Sequence, residues 1–316
     1  MTVGPPNDAR GDVLPVHLAL AGGVELVVRA IDPSDLAAVT ALHERLSPEA
    51  VYRRFFTSVL PPAPFFERLA TVAERGGLGL VAEVVSAPDA GQLGIVAEVD
   101  IEPLHNGNGE IAIVVEGRWR GWLGPYLVEL ASREARRHGF ANLEAEMLTC
   151  NRQMRAVTRS RGEAFLPASD WQEVRVVFAT DGDAPTWLPG DRPRVLVEQR
   201  GVAFDAVAGL EAAGFDVLAC AGRTASRPAC PVLAGGTCPL AAGADAIVVA
   251  MATSPERDQL VAGHRRGNVP VVVVEPGTTP ITAETLVAAA REALDGSDLD
   301  VGTDLEHAIG RQPEEP

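Results

Sequence analysis

The sequence predicts an α/β protein built in two successive parts, and three observations carry that expectation. An apolar strand, Glu110 to Val115, feeds an arginine- and glycine-rich turn that leads into an amphipathic helix. Residues 181–193 then break all periodicity with three prolines and two glycines, as a domain linker does. Beyond them, short apolar strands alternate with helical stretches, the pattern of a parallel sheet covered on both sides.

The first part opens on a strand, Leu26 to Ala30, and on Asp32-Pro-Ser-Asp35, which caps a helix. On the strand before Glu110, the acids Glu98, Asp100 and Glu102 alternate with apolar residues, so all three face one side. They form either an acidic strip near an acceptor site or the solvent face of an edge strand. The turn Arg118-Trp-Arg-Gly-Trp-Leu-Gly124 follows. A strand feeding such a turn into a helix grips phosphates, because the first amide N–H groups of the helix lack carbonyl partners and carry the positive end of its dipole. In that helix Leu123, Leu127, Leu130 and Ala131 recur on one face, Pro125 sits in the first turn, and Arg136, Arg137 and His138 crowd the last turn before Gly139. A second strand, Leu143 to Leu148, and a polar helix from Asn151 to Gly162 complete the block.

Over residues 24–180 these elements resemble the GNAT superfamily of acyl-CoA-dependent N-acetyltransferases, and Leu42 to Phe56 resembles the amino-terminal segment of bacterial protein-lysine acetyltransferases. The resemblance implies a mixed sheet with helices on both faces, acetyl-CoA as co-substrate and a protein amine as acceptor. It implies that the strand carrying Ile113 and Val115 splays to receive pantetheine, with Arg118, Arg120, Gly121, Trp122, Gly124 and Asn151 completing the cofactor site. Glu110 matches the position of the glutamate assigned as general base. A protonated amine must lose a proton before its nitrogen attacks a thioester, and a carboxylate is the usual acceptor.

Two departures from the family pattern open a second reading. The family writes the turn as Gln or Arg, two residues, Gly, one residue, then Gly or Ala. Counting from Arg118 gives Gly121 but ends on Leu123, whereas counting back from Gly124 puts Trp119 and Trp122 at the first two key positions. Thr158 stands where GNAT enzymes commonly place a tyrosine acid, and the only tyrosines are Tyr52 and Tyr126. The alternative is a catalytically degenerate GNAT-like protein that binds or senses.

Charge separates partners. From Arg118 to Arg161 nine arginines meet four acids, a net of plus five inside a chain of net charge −16. A local basic face suits an anionic acyl-CoA or a solvated helix, while the global charge opposes nucleic acid and anionic membrane. No apolar run approaches the roughly 20 residues that span a bilayer, and the amino terminus has no signal-like stretch, so a cytoplasmic location is expected. Nothing in the pattern forbids a homo-oligomer. All 27 basic residues are arginine, so a lysine acetyltransferase of this sequence cannot acetylate its own side chains.

The expected layout is a disordered tail over 1–15, a GNAT-like domain over 16–182, a linker over 183–193, a small doubly wound parallel-sheet domain over 194–296 and an acidic disordered tail over 297–316. The second domain is similar to a response-regulator receiver, of flavodoxin-like fold, most clearly at Leu210 to Leu218. It lacks the receiver chemistry: Glu198-Gln199 replaces the acidic pair, the third strand ends at Met251 and lysine is absent. Its strands still offer a crevice at their carboxyl ends. Cys220, Cys230 and Cys238 cluster there in sequence. Their spacing fits no standard zinc finger, and Asp245 and His264 are the nearest further donors, so no metal is expected. A reversible disulfide between Cys230 and Cys238 competes with inert buried thiols.

Overall fold

The computed structural model describes residues 14–20, 22–88, 93–161, 163–166, 172–182, 184–187, 190–199, 204–220, 230–276 and 281–295. The expected terminal tails lie almost wholly outside the described residues, as do parts of the 183–193 linker. The chain divides into two compact units, one formed by residues 1–157 and 179–183, the other by 158–178 and 184–316.

The first unit contains β1 (Val16–Leu20), β2 (Val24–Ala30), α1 (Leu36–Glu44), α2 (Pro48–Phe55), α3 (Ala63–Ala70), β3 (Leu78–Ser86), β4 (Gly94–Pro103), β5 (Gly109–Val115), α4 (Leu123–Arg137) and β6 (Asn142–Leu148). Strands β1 to β5 form an antiparallel meander in chain order, and β6 joins β5 in parallel. The sheet is therefore mixed, as expected. Asp32 and Asp35 build a reciprocal cap ahead of α1, which removes two orphan donors at once. The four apolar residues read as the buried face of α4, Leu123, Leu127, Leu130 and Ala131, are all fully buried, and α4 packs on β3, β4 and β5. Helices α1 and α3 cover the other face, where Val39, Leu42 and Leu69 meet Val81, Ile95 and Val114.

Helix α5 (Arg152–Ser160) spans the division between the units. The second unit contains β7 (Ala164–Leu166), β8 (Glu173–Ala179, all but its last residue), β9 (Arg194–Gln199), α6 (Phe204–Ala212), β10 (Asp216–Cys220), β11 (Ala246–Ala250), α7 (Pro255–His264), β12 (Val271–Val274) and α8 (Ala283–Leu294). Strands β10, β9, β11 and β12 lie side by side in that order, all parallel. Alternate residues of β9 face opposite layers: Val195 and Val197 meet α6 and α8, while Leu196 meets α7. The expectation of an all-parallel sheet needs one amendment, because β7 adds antiparallel to β10 through Phe165 opposite Ala219, and β8 pairs antiparallel with β7. A strand as short as β7 carries too little periodicity to be read.

Candidate functional site

In the first unit the strand, turn and helix come together as the sequence suggests. Strand β5 pairs with β6 only through Gly109 opposite Leu143 and Glu110 opposite Glu144. From Ile111 to Val115 it keeps its partner on the β4 side alone. The backbone edge that carries Ile113 and Val115 is thus released from β6 just past Glu110. A strand edge so released can pair with an extended ligand.

The turn after β5 is a short 3-10 segment, Gly117–Trp119, followed by Gly121 at φ +100° and then α4. That backbone angle favours glycine, and a Cβ at Gly121 would meet no atom within 4 Å, so the residue leaves open space above the helix end. The amide N–H groups of Gly121, Trp122, Leu123 and Gly124 donate to no carbonyl among the described residues, and the first helical bond runs from Tyr126 N–H to Trp122 O at 3.2 Å. A Cβ at Gly124 would stand 3.9 Å from Val115 Cγ2, so α4 starts in contact with the end of β5.

The two tryptophans part company. Trp119 is buried, with the Arg118 guanidinium 5.4 Å from its ring centroid. Trp122 is half-buried and its ring lies 6.4 Å from that of Tyr126, one helical turn on. Arg120 turns inward: its Nε donates to Val115 O at 3.1 Å, which knits the turn to the strand. Arg118 lies 3.7 Å from Glu116. Asn151 accepts from Met154 N–H at 3.3 Å and so caps α5. The basic excess counted along the sequence is smaller in space, because Glu116, Asp181 and Glu163, which fall outside that count or were not in it, pair with Arg118, Arg136 and Arg159.

The acidic strip is a column on the α1–α3 face. The antiparallel register sets Glu98 opposite Val114, Asp100 opposite Ala112 and Glu102 opposite Glu110, so all four acids share that side. Strand β4 is interior, not an edge, and each of its acids meets a base from a covering element. His43 Nε2 lies 3.3 Å from Glu98 Oε1, both fully buried. Arg54 donates to Asp100 at 2.9 Å, and Arg75 and Arg68 reach Glu102. Burial pushes the Asp100 carboxyl up to about 7; Arg54 opposes the rise, and the charges of Glu98, Glu102 and Glu110 add to it. Glu144, on the other side of Glu110, accepts from Asn106 and Asn108 at 2.7 and 2.6 Å. Glu110 is exposed and makes no ion pair among the described residues. It is the exposed carboxylate of the column.

Asp100 is the residue that sequence reasoning placed in the strip without a role of its own. Its proton affinity depends on burial and on Arg54, 46 positions away, and no local pattern reports that. Thr158 is fully buried and donates to Glu163.

No protein-family model matches the chain. Among solved structures it is similar to the GNAT domain of S. lividans PAT, at 23% identity over 52% of this chain and 96% of that one, with a TM-score of 0.45. It is similar to a cAMP-binding acyltransferase from Mycobacterium smegmatis at 20% identity over 52% of this chain and 47% of that one, TM-score 0.35. It is also similar to yncA, a putative acetyltransferase from Salmonella typhimurium solved with acetyl-CoA, at 17% identity over 51% and 98% of the two chains, TM-score 0.39. Likenesses at this level fix neither a substrate nor a mechanism. No helix among the described residues is long and apolar enough to cross a membrane.

In the second unit Cys220, Cys230 and Cys238 form no disulfide. The redox reading of Cys230 and Cys238 asks for a ready thiolate, whereas burial, with the charge of Glu198 beside it, pushes the Cys238 thiol up to about 11. Asp245 is engaged elsewhere, accepting from Arg194 N–H at 2.8 Å.

Proposed function

We propose that the first unit is an acetyl-CoA-dependent N-acetyltransferase that acts on a protein lysine, with the second, receiver-like unit regulating it. The observation that carries this reading is the release of β5 from β6 immediately past Glu110, beneath a helix end whose N–H groups are unpaired. Four free amides and the positive end of a 15-residue helix suit a pyrophosphate. The open space at Gly117 and Gly121 lets it approach the backbone.

In this reading Ile113 and Val115 offer strand edge to the pantetheine amides, and Arg120, anchored by its Nε, presents its remaining N–H groups to a phosphate. Glu110 takes the proton from the acceptor ammonium, and the freed nitrogen attacks the thioester carbonyl. Asp100, half-protonated near neutral pH, holds a second proton on the same face of the sheet. The departing thiolate takes its proton from solvent, because Thr158 is committed to Glu163 and Tyr126 is buried in α4.

The alternative, a degenerate GNAT-like binding or sensing protein, is favoured by that same buried Thr158. Calorimetry with acetyl-CoA separates the two. Binding, followed by a fall in turnover of about 10²–10⁴ in Glu110→Gln with acetyl-CoA affinity unchanged, is the expected result. No heat and no thermal shift at millimolar acetyl-CoA would remove the enzymatic reading.

A further inference from the structure

On the α7 side of the second sheet, three side chains from three separate elements converge. Glu198 is the penultimate residue of β9, His264 the last of α7, and Cys238 precedes the 3-10 turn Pro239–Ala241. One ligand atom from each lies within 4.8 Å of the other two, and no other such group occurs among the described residues. Glu198 and His264 are both at least nine-tenths buried, and Cys238 is half-buried, which leaves a way in from solvent.

A buried carboxylate is costly unless something compensates it. His264 Nε2 stands 3.3 Å from Glu198 Oε1, yet Glu198 Oε2 has no hydrogen-bond partner. This orphaned oxygen sits where a carboxylate, an imidazole and a thiol already gather, with Cys220 opposite Glu198 in the sheet register and apolar residues Leu196, Leu260 and Val261 in the same layer. No arginine pairs with Glu198 among the described residues.

We propose that Glu198, Cys238 and His264 bind a divalent transition metal, Zn²⁺ by preference, with a fourth tetrahedral position left to water. The geometry suits that ion. Bonds of about 2.0 Å to nitrogen and oxygen give a tetrahedral edge of about 3.3 Å, which is the separation already held between His264 Nε2 and Glu198 Oε1. The Cys238 sulfur lies within 4.8 Å of both of these atoms. A mixed thiolate, imidazole and carboxylate set favours zinc over calcium or magnesium, which take oxygen donors only. Binding displaces the Cys238 thiol proton, forms the metal–sulfur bond and leaves no buried charge uncompensated. The ion then pins α7 and the loop carrying Cys238 to the carboxyl end of β9.

The test uses the full-length chain, stripped with chelator and titrated with Co²⁺ as a spectroscopic stand-in for Zn²⁺. The expected result is one ion per chain, with tetrahedral d–d absorption and a thiolate-to-cobalt charge-transfer band, displaced by Zn²⁺. Cys238→Ser removes the charge-transfer band. His264→Gln and Glu198→Gln each weaken binding by more than the roughly 10–100-fold that loss of an outer partner costs. Cys150→Ser, which changes an exposed thiol of the other unit, retains both band and stoichiometry. Because the wild-type titration needs no variant to fold, it decides the matter alone if no Co²⁺ binds at micromolar concentration: the proposal then fails. It fails equally if the band survives Cys238→Ser or disappears with Cys150→Ser.

Discussion

Replacing Asp100 by asparagine should stabilise the protein at high pH and do little at low pH. The carboxyl rises from its ordinary 3.8 to about 7, chiefly through burial, so between those values the folded state keeps a proton that the unfolded chain has released. Stability therefore falls as pH climbs through that window and is flat above and below it. At 1.36 kcal/mol per tenfold step, the full penalty is about 4 kcal/mol, of which about 2–3 kcal/mol is incurred between pH 5 and 8. Asparagine keeps an oxygen for the Arg54 bond and removes the charge that Glu98, Glu102 and Glu110 oppose. Urea unfolding measures both proteins at the two pH values. The gap between Asp100→Asn and wild type should widen by about 2–3 kcal/mol from pH 5 to pH 8. An unchanged gap would mean that Asp100 ionises normally, and the case for it as a second proton holder would fall.

Gly121→Ala should cost about 1–2 kcal/mol in stability, because φ is +100° while the space around a Cβ is empty; calorimetry should also show weaker acetyl-CoA binding as the turn relaxes. Gly209→Ala in α6 should destabilise the second unit by about 1–3 kcal/mol, against the gain of roughly 1 kcal/mol that helix propensity alone gives. Its new Cβ would stand 2.2 Å from Ala283 Cβ at the start of α8, and thermal unfolding reads the sign directly.

What the sequence made legible was whatever repeats at short range. Helix α4 announced itself because Leu123, Leu127, Leu130 and Ala131 recur at helical spacing and all four reach the core. Strands β11 and β12 did so as unbroken apolar runs, because a sheet covered on both faces leaves no polar side to interrupt them, and β9 through the shorter run Val195 to Val197. The turn at 117–124 was legible as a glycine- and arginine-rich joint, but the fate of each side chain was not. Arg120 binds a carbonyl five residues back and Arg118 lies against Trp119, and composition cannot tell such inward contacts from free charge. Three acids of the column were visible on one strand, whereas its bases come from α1, α2, α3 and the segment after α3. The Glu198, Cys238 and His264 cluster is illegible for the same reason: its donors span 66 positions and meet only when α7 folds back over β9.

The described residues include two buried histidine–glutamate contacts of equal length, and what surrounds each decides what it does. His43 and Glu98 lie 3.3 Å apart beneath the rings of Phe55 and Phe66, 5.6 and 5.1 Å from the imidazole. No cysteine among the described residues joins them in a donor cluster. Such a pair adds little over apolar packing, but removing one partner strands the other, at a cost of about 3–5 kcal/mol. His43→Leu alone should therefore be strongly destabilising, and His43→Leu combined with Glu98→Leu should recover most of that loss in thermal unfolding. In the second unit the corresponding double change, His264→Leu with Glu198→Leu, should likewise be tolerated by the fold, yet it should abolish Co²⁺ binding, which the His43 and Glu98 double variant leaves untouched. If both double variants bind the ion alike, sulfur is not what separates the two contacts, and the second is a packing pair like the first.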